Sequence, residues 1–135
     1  MSPVFTWPVR VYWEDTDAGG VVYYANYLKF LERARSEWLR ALGLSQTELA
    51  QRDGVLFVVR HVAVEFLAPA RFDDHLEVRS VPEELGGASM TLMQEVLRGD
   101  RLLLTARVRI ACVRSADFKP ARIPPHVMQR LVKPA

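Results

Sequence analysis

Apolar and polar residues alternate over Val9–Glu14, which predicts a β-strand. The run Asp15-Thr16-Asp17-Ala18-Gly19-Gly20 predicts a loop, because aspartates and paired glycines are turn formers. After Val21–Ala25 the period lengthens. Tyr27, Leu31, Ala34, Trp38 and Ala41 recur at steps of four and three, the buried stripe of an amphipathic helix, and Gly43 supplies its stop. Ser45-Gln46-Thr47-Glu48 reads as a capping box opening a short second helix to about Arg52. Strand patterns then fill Val55–Ala68, His75–Leu85, Ala88–Arg98 and Leu102–Arg114, with Gly86-Gly87 and Arg98-Gly99-Asp100-Arg101 as turns. In the long strand, alternation assigns Val58, Val62, Val64 and Phe66 to one face and Phe57 and Val59 to the other. A helical turn or two is expected near Val127–Val132.

This order predicts an α+β fold: a five-stranded, mainly antiparallel sheet curled around one long helix, since the apolar stripe of that helix must be covered. Apolar residues on both faces of Val55–Ala68 imply that one face is buried against another subunit.

Composition narrows the function classes. The 135 residues form a single expected domain, 1–135, and carry 18 basic against 16 acidic residues, a net charge of +2 with no basic cluster. Nucleic-acid binding is therefore not expected. The longest apolar runs are five residues, whereas a membrane span needs about 20. The N-terminus lacks the pattern of a secretory leader, so the cytoplasm is the expected compartment. The one cysteine, Cys112, sits mid-strand in an apolar alternation and reads as core. Gly-x-Ser-x-Gly and phosphate-cradling glycine motifs are absent, and His61, His75 and His126 are scattered, so neither a metal nor a resident cofactor is expected.

The loop Glu14–Gly20 remains. It reads either as a plain turn or as a site. A carboxylate beside a helix N-terminus can attack a reactive carbonyl or activate water while free N–H groups hold the developing oxyanion. A thioester is reactive enough for that device.

The segment Val9-Arg10-Val11-Tyr12-Trp13-Glu14-Asp15-Thr16-Asp17-Ala18-Gly19-Gly20-Val21-Val22-Tyr23-Tyr24-Ala25-Asn26-Tyr27 resembles the signature of hotdog-fold acyl-CoA thioesterases of the 4-hydroxybenzoyl-CoA thioesterase group. The branch associated with the Tol–Pal envelope system is the most similar. The resemblance continues through Glu32–Arg35, Gly54–Arg60, Phe66–Arg71 and Arg107–Val113. It implies a hotdog fold and hydrolysis of acyl-CoA, or acyl carrier protein thioesters, to an acid and a free thiol. Coenzyme A then belongs to the substrate. The resemblance makes Asp17 the catalytic carboxylate, as nucleophile or general base, and Asp15 a loop-shaping residue. It assigns the backbone N–H of Tyr24 to polarising the carbonyl, and Gly19 and Gly20 to close approach of the acyl group. It also implies homodimers pairing through the long strand and assembling to homotetramers. Relatives of the Tol–Pal branch usually carry histidine in place of Tyr24, and many carry tyrosine in place of Trp13, a candidate substrate contact. Arg60, with Arg71 and Arg114, is a candidate for the coenzyme A phosphates. A hotdog dehydratase would need a histidine near Asp17, which the sequence lacks. A non-catalytic acyl-CoA-binding or scaffold protein is the alternative reading.

Overall fold

The computed structural model describes residues 4–132. Five strands, β1 (Phe5–Arg10), β2 (Val55–Phe66), β3 (His75–Leu85), β4 (Ser89–Arg98) and β5 (Arg101–Arg114), pair antiparallel in the spatial order β1-β3-β4-β5-β2. The long helix α1 (Asn26–Ala41) packs on one face of this sheet, giving the predicted α+β arrangement. A short helix α2 (Gln46–Glu48) continues into one wide turn over Leu49–Asp53. A C-terminal helix α3 (Pro125–Val132) closes one end of the core with Val127 and Leu131.

The stripe on α1 is Tyr27, Phe30, Leu31, Ala34, Trp38 and Leu39, all buried, each large side chain contributing roughly 2 kcal/mol. Ala41, expected in that stripe, is exposed. The reason is the helix stop. Gly43, at φ 78°, reverses the chain, and the Leu44 amide donates to the Leu39 carbonyl at 2.9 Å. Leu44 is thereby folded onto the core in place of Ala41. The predicted capping serine is present: Ser45 Oγ accepts the Glu48 amide at 3.3 Å.

Two expectations are corrected. The first strand is Phe5–Arg10, not Val9–Glu14. Its pairing ends at Arg10–His75, and Trp13–Asp15 form a single tight helical turn, leaving Tyr12, Trp13 and Glu14 exposed. Pro8 is tolerated because β1 is a sheet edge. The second correction concerns β2. A bulge between Val59 and His61 inserts Arg60 as an extra residue and inverts the alternation beyond it. Phe57 pairs with Cys112, Val59 with Ile110, Val62 with Val108 and Val64 with Ala106, all partners on the core-facing side of β5. Phe57, Val59, Val62, Val64 and Phe66 therefore share one face, and Val58 lies on the other. The strand is less two-faced than straight alternation implied. Val59 and Phe66 nevertheless stay 49% and 51% exposed on that inner face, because β2 is the other sheet edge and Tyr27 of α1 covers Phe66 from one side only, at 5.7 Å between ring centroids.

Candidate active site

The chain between β1 and α1 folds around Asp15. Its carboxylate Oδ2 accepts the Tyr12 amide at 2.8 Å, and its carbonyl accepts the Tyr23 amide and the Asn26 side-chain amide, both at 2.9 Å. Asp15 is 8% exposed, so these bonds replace water. Asn26 ties the first turn of α1 to the loop. The loop is fastened on its other side by the Val22 amide, which donates to the Ala70 carbonyl at 2.8 Å, and by a bridge between Val21 and Arg71. The Tyr27 hydroxyl accepts the Ala70 amide at 2.9 Å, so the helix, the loop and the chain after β2 form one frame.

Asp17 stands at the tip of this frame and is exposed. Its amide donates to Val21 O at 2.9 Å and its carbonyl accepts the Gly20 amide at 3.0 Å, a turn that needs Gly20 at φ 82°. The side chain is held too: Oδ1 accepts the Gly19 amide at 2.8 Å. Among the described residues Oδ2 has no protein donor. One oxygen is thus fixed and the other is open to a reactant.

The start of α1 lies beside it. Ala25 has no side chain that can cap, and among the described residues nothing accepts the Tyr24 amide. That free N–H, at the positive end of a 16-residue helix, can polarise a carbonyl. The Tyr23 and Tyr24 rings meet at 4.9 Å. The adjacent Tyr24 phenol, then burial, then the negative charge of Asp17 push the Tyr23 hydroxyl above the usual tyrosine range. Tyr24 also packs edge-on to Phe66, centroids 6.3 Å apart.

Asp17, Gly19 and Gly20 thus share one hydrogen-bonded turn, and Tyr24 follows in the chain just before α1. Trp13 belongs to the same loop, but its ring lies flat on Phe72 at 3.7 Å and is 72% exposed. Arg60 is not gathered with them inside one protomer. It sits at the β2 bulge, about 20 Å along the strand from Phe66. Arg114 forms an exposed ion pair with Asp117 at 2.6 Å. Among the described residues no three of histidine, cysteine, aspartate or glutamate converge as a metal ion requires. Sequence reasoning missed Asn26, Tyr23 and Phe66. Asn26 had a signal, an amide in the first turn of a helix otherwise uncapped. Phe66 had none, since its contact spans 42 residues.

Comparison with known proteins places the chain in a family. The chain is 44% identical over 123 residues to the acyl-CoA thioesterase YbgC of Haemophilus influenzae, covering 91% of this chain and 90% of that one. It is 45% identical over 128 residues to the acyl-CoA thioester hydrolase YbgC of Escherichia coli O6:H1, covering 94% and 95%. The crystal structure of a probable thioesterase from Bartonella henselae superposes with a TM-score of 0.86 at 42% identity, over 90% of this chain and all of that one. The match to the family model runs over residues 11–131, from the start of the Asp15 frame to the end of the C-terminal helix, and the chain, a hotdog fold, belongs to the thioesterase-like superfamily.

Proposed function

We propose that this protein hydrolyses acyl-CoA thioesters, with Asp17 as its catalytic carboxylate. The observation that carries this reading is an exposed carboxylate, fixed through one oxygen by Gly19, on the loop that leads into α1, where the Tyr24 amide has no partner among the described residues. The thioester carbonyl oxygen takes the Tyr24 N–H. The free Asp17 oxygen then does one of two things. As nucleophile it attacks the carbonyl carbon, the coenzyme A thiolate leaves, and water cleaves the resulting mixed anhydride. As general base it takes a proton from water that attacks instead. Either course yields a carboxylic acid and a free thiol. Tyr24 contributes through its backbone, and coenzyme A enters only as part of the substrate.

The same reading includes a homodimer made by β2. It is an exposed edge strand whose inner face leaves Val59 and Phe66 uncovered. Antiparallel pairing with a second copy sets the Phe66 end of one strand beside the Val55 end of the other. In that register Arg60 of one copy lies opposite His61 of the other, midway between the two strand ends, and its assignment to the coenzyme A phosphates stays with the family resemblance. Assembly to a tetramer, acyl carrier protein as an alternative donor, a cytoplasmic setting and a Tol–Pal association belong to this proposal through the family resemblance.

The test is release of free thiol from short, long and aromatic acyl-CoAs by the wild type and Asp17→Asn. Turnover by the wild type that collapses in the variant supports the reading. Binding of acyl-CoA without turnover by the wild type replaces it with the non-catalytic reading.

A further inference from the structure

A cavity of about 110 Å³ lies between α1 and the sheet, away from the Asp17 loop. Its walls are mostly apolar, with Trp38, Leu39, Phe57, Val59, Leu92 and Ile110; the uncharged polar side chains on it, Ser36 and Gln46, bond each other at 3.4 Å. Two charged side chains of α1, Glu32 and Arg35, also line it. Behind Arg35 stands a polar group that strand alternation would reserve for core. Gln94 and Ser80 are fully buried on β4 and β3. Gln94 Nε2 donates to the Leu31 carbonyl at 3.1 Å and to Ser80 Oγ at 3.0 Å, which fixes its amide. The amide oxygen then accepts Arg35 Nη1 at 3.1 Å.

That bond uses one guanidinium nitrogen. Among the described residues nothing accepts from Nε or Nη2. Nor, among those residues, does any buried side-chain nitrogen or oxygen lack a partner, so these atoms reach solvent. Glu32 does not close the gap. Its carboxylate accepts the Ser36 hydroxyl at 3.0 Å, and it forms no ion pair with Arg35. Desolvation pulls the guanidinium below the usual arginine range, with Glu32 pushing the other way.

We infer that Arg35 is a specificity-determining residue: it recognises an oxygen acceptor at the far end of the acyl group seated in this cavity. The inference rests on the thioesterase reading and on β2 pairing. Within one protomer Arg35 is eleven residues beyond Tyr24, about 16 Å along the helix. Antiparallel β2 pairing shortens the path. Tyr24 packs on Phe66, and pairing lays the Phe66 end of one copy beside the Val55–Val59 end of the other, where this cavity opens. An acyl tail held at one copy's thioester site thus enters the other copy's cavity between apolar walls. A plain alkyl end displaces water from Nε and Nη2 and gives nothing back. A carboxylate, hydroxyl or carbonyl restores the bonds, and a carboxylate can take two at once.

The experiment compares kcat/KM for hexanoyl-, 6-hydroxyhexanoyl- and adipoyl-CoA, with acetyl-CoA as a substrate too short to enter. Wild type, Arg35→Met and Arg35→Lys are used at full length. The wild type is expected to favour an oxygen-ended chain over hexanoyl by about tenfold or more. Arg35→Met removes that preference and leaves acetyl-CoA within about twofold. Arg35→Lys retains part of it, which separates recognition from loss of fold. Unequal gains of the hydroxyl and carboxyl substrates tell which acceptor is read. Equal rates for all three chains in the wild type, or equal losses on every substrate in both variants, overturn the inference while the thioesterase reading stands. No hydrolysis of any substrate by the wild type overturns that reading instead.

Discussion

Asp15 and Asp17 are separated by one residue and face opposite surroundings. Asp15 is buried and binds the Tyr12 amide at 2.8 Å, whereas Asp17 is exposed and keeps one oxygen free. The two should fail differently. Asp17→Asn is expected to lower kcat by about a hundredfold or more, the usual loss for a general base, with the thermal midpoint unchanged. Asp15→Ala strands the Tyr12 amide and costs about 1–3 kcal/mol of stability. Thermal unfolding and steady-state kinetics on both variants check the division. A large activity loss in Asp15→Ala at unchanged stability would reverse the two roles.

The glycines beside Asp17 separate in the same way. A Cβ on Gly19 would stand 3.2 Å from Asp17 Oδ1, so Gly19→Ala pushes on the carboxylate itself. It should lower kcat severalfold with little change in stability. Gly20 has open space around a Cβ but holds φ 82°. Gly20→Ala therefore costs about 1 kcal/mol in backbone strain. Kinetics and thermal unfolding run together distinguish a displaced carboxylate from a strained turn.

These contrasts show where the sequence was legible. The spacing of Tyr27, Leu31, Ala34 and Trp38 gave α1 because one helical period fixes one face. The bulge at Arg60 was hidden, since inverted parity is visible only against the partner strand β5. That single inserted residue moved Val58 off the face it shares in a straight reading. Asp17 stood out as a carboxylate before a helix. Arg35 and Gln94 did not, because each looks ordinary until the fold sets them 3.1 Å apart.

The inner face of β2 makes the dimer testable. Val59 and Phe66 lie half exposed at a sheet edge. A charge at Val59, which is 49% exposed, still reaches water in an isolated protomer, but is buried unpaired by strand pairing. Val59→Asp should therefore yield a folded monomer by light scattering at micromolar concentration, with its circular dichroism retained. If the variant stays at the mass of the wild type, the interface lies elsewhere.

Cys112 offers a check on the core. It is fully buried, its thiol lies 3.9 Å from the Arg122 carbonyl, and desolvation pushes its pKa up. The sign follows from that cause. Burial penalises the thiolate, so stability is unaffected below the ordinary thiol range and falls as pH rises through it. The thiolate is also the reactive form, so reaction with a disulfide reagent near neutral pH needs local opening of the segment that covers it. That cover includes the chain after β5, where the Ala121 amide donates to the Cys112 carbonyl at 2.9 Å and Ile123 packs into the core. The native protein should thus react far more slowly than the urea-unfolded chain. Leu131→Ala, which loosens α3, should raise the native rate by at least about tenfold. Rapid reaction of the untouched wild type would place Cys112 at the surface and refute this packing of the C-terminal segment.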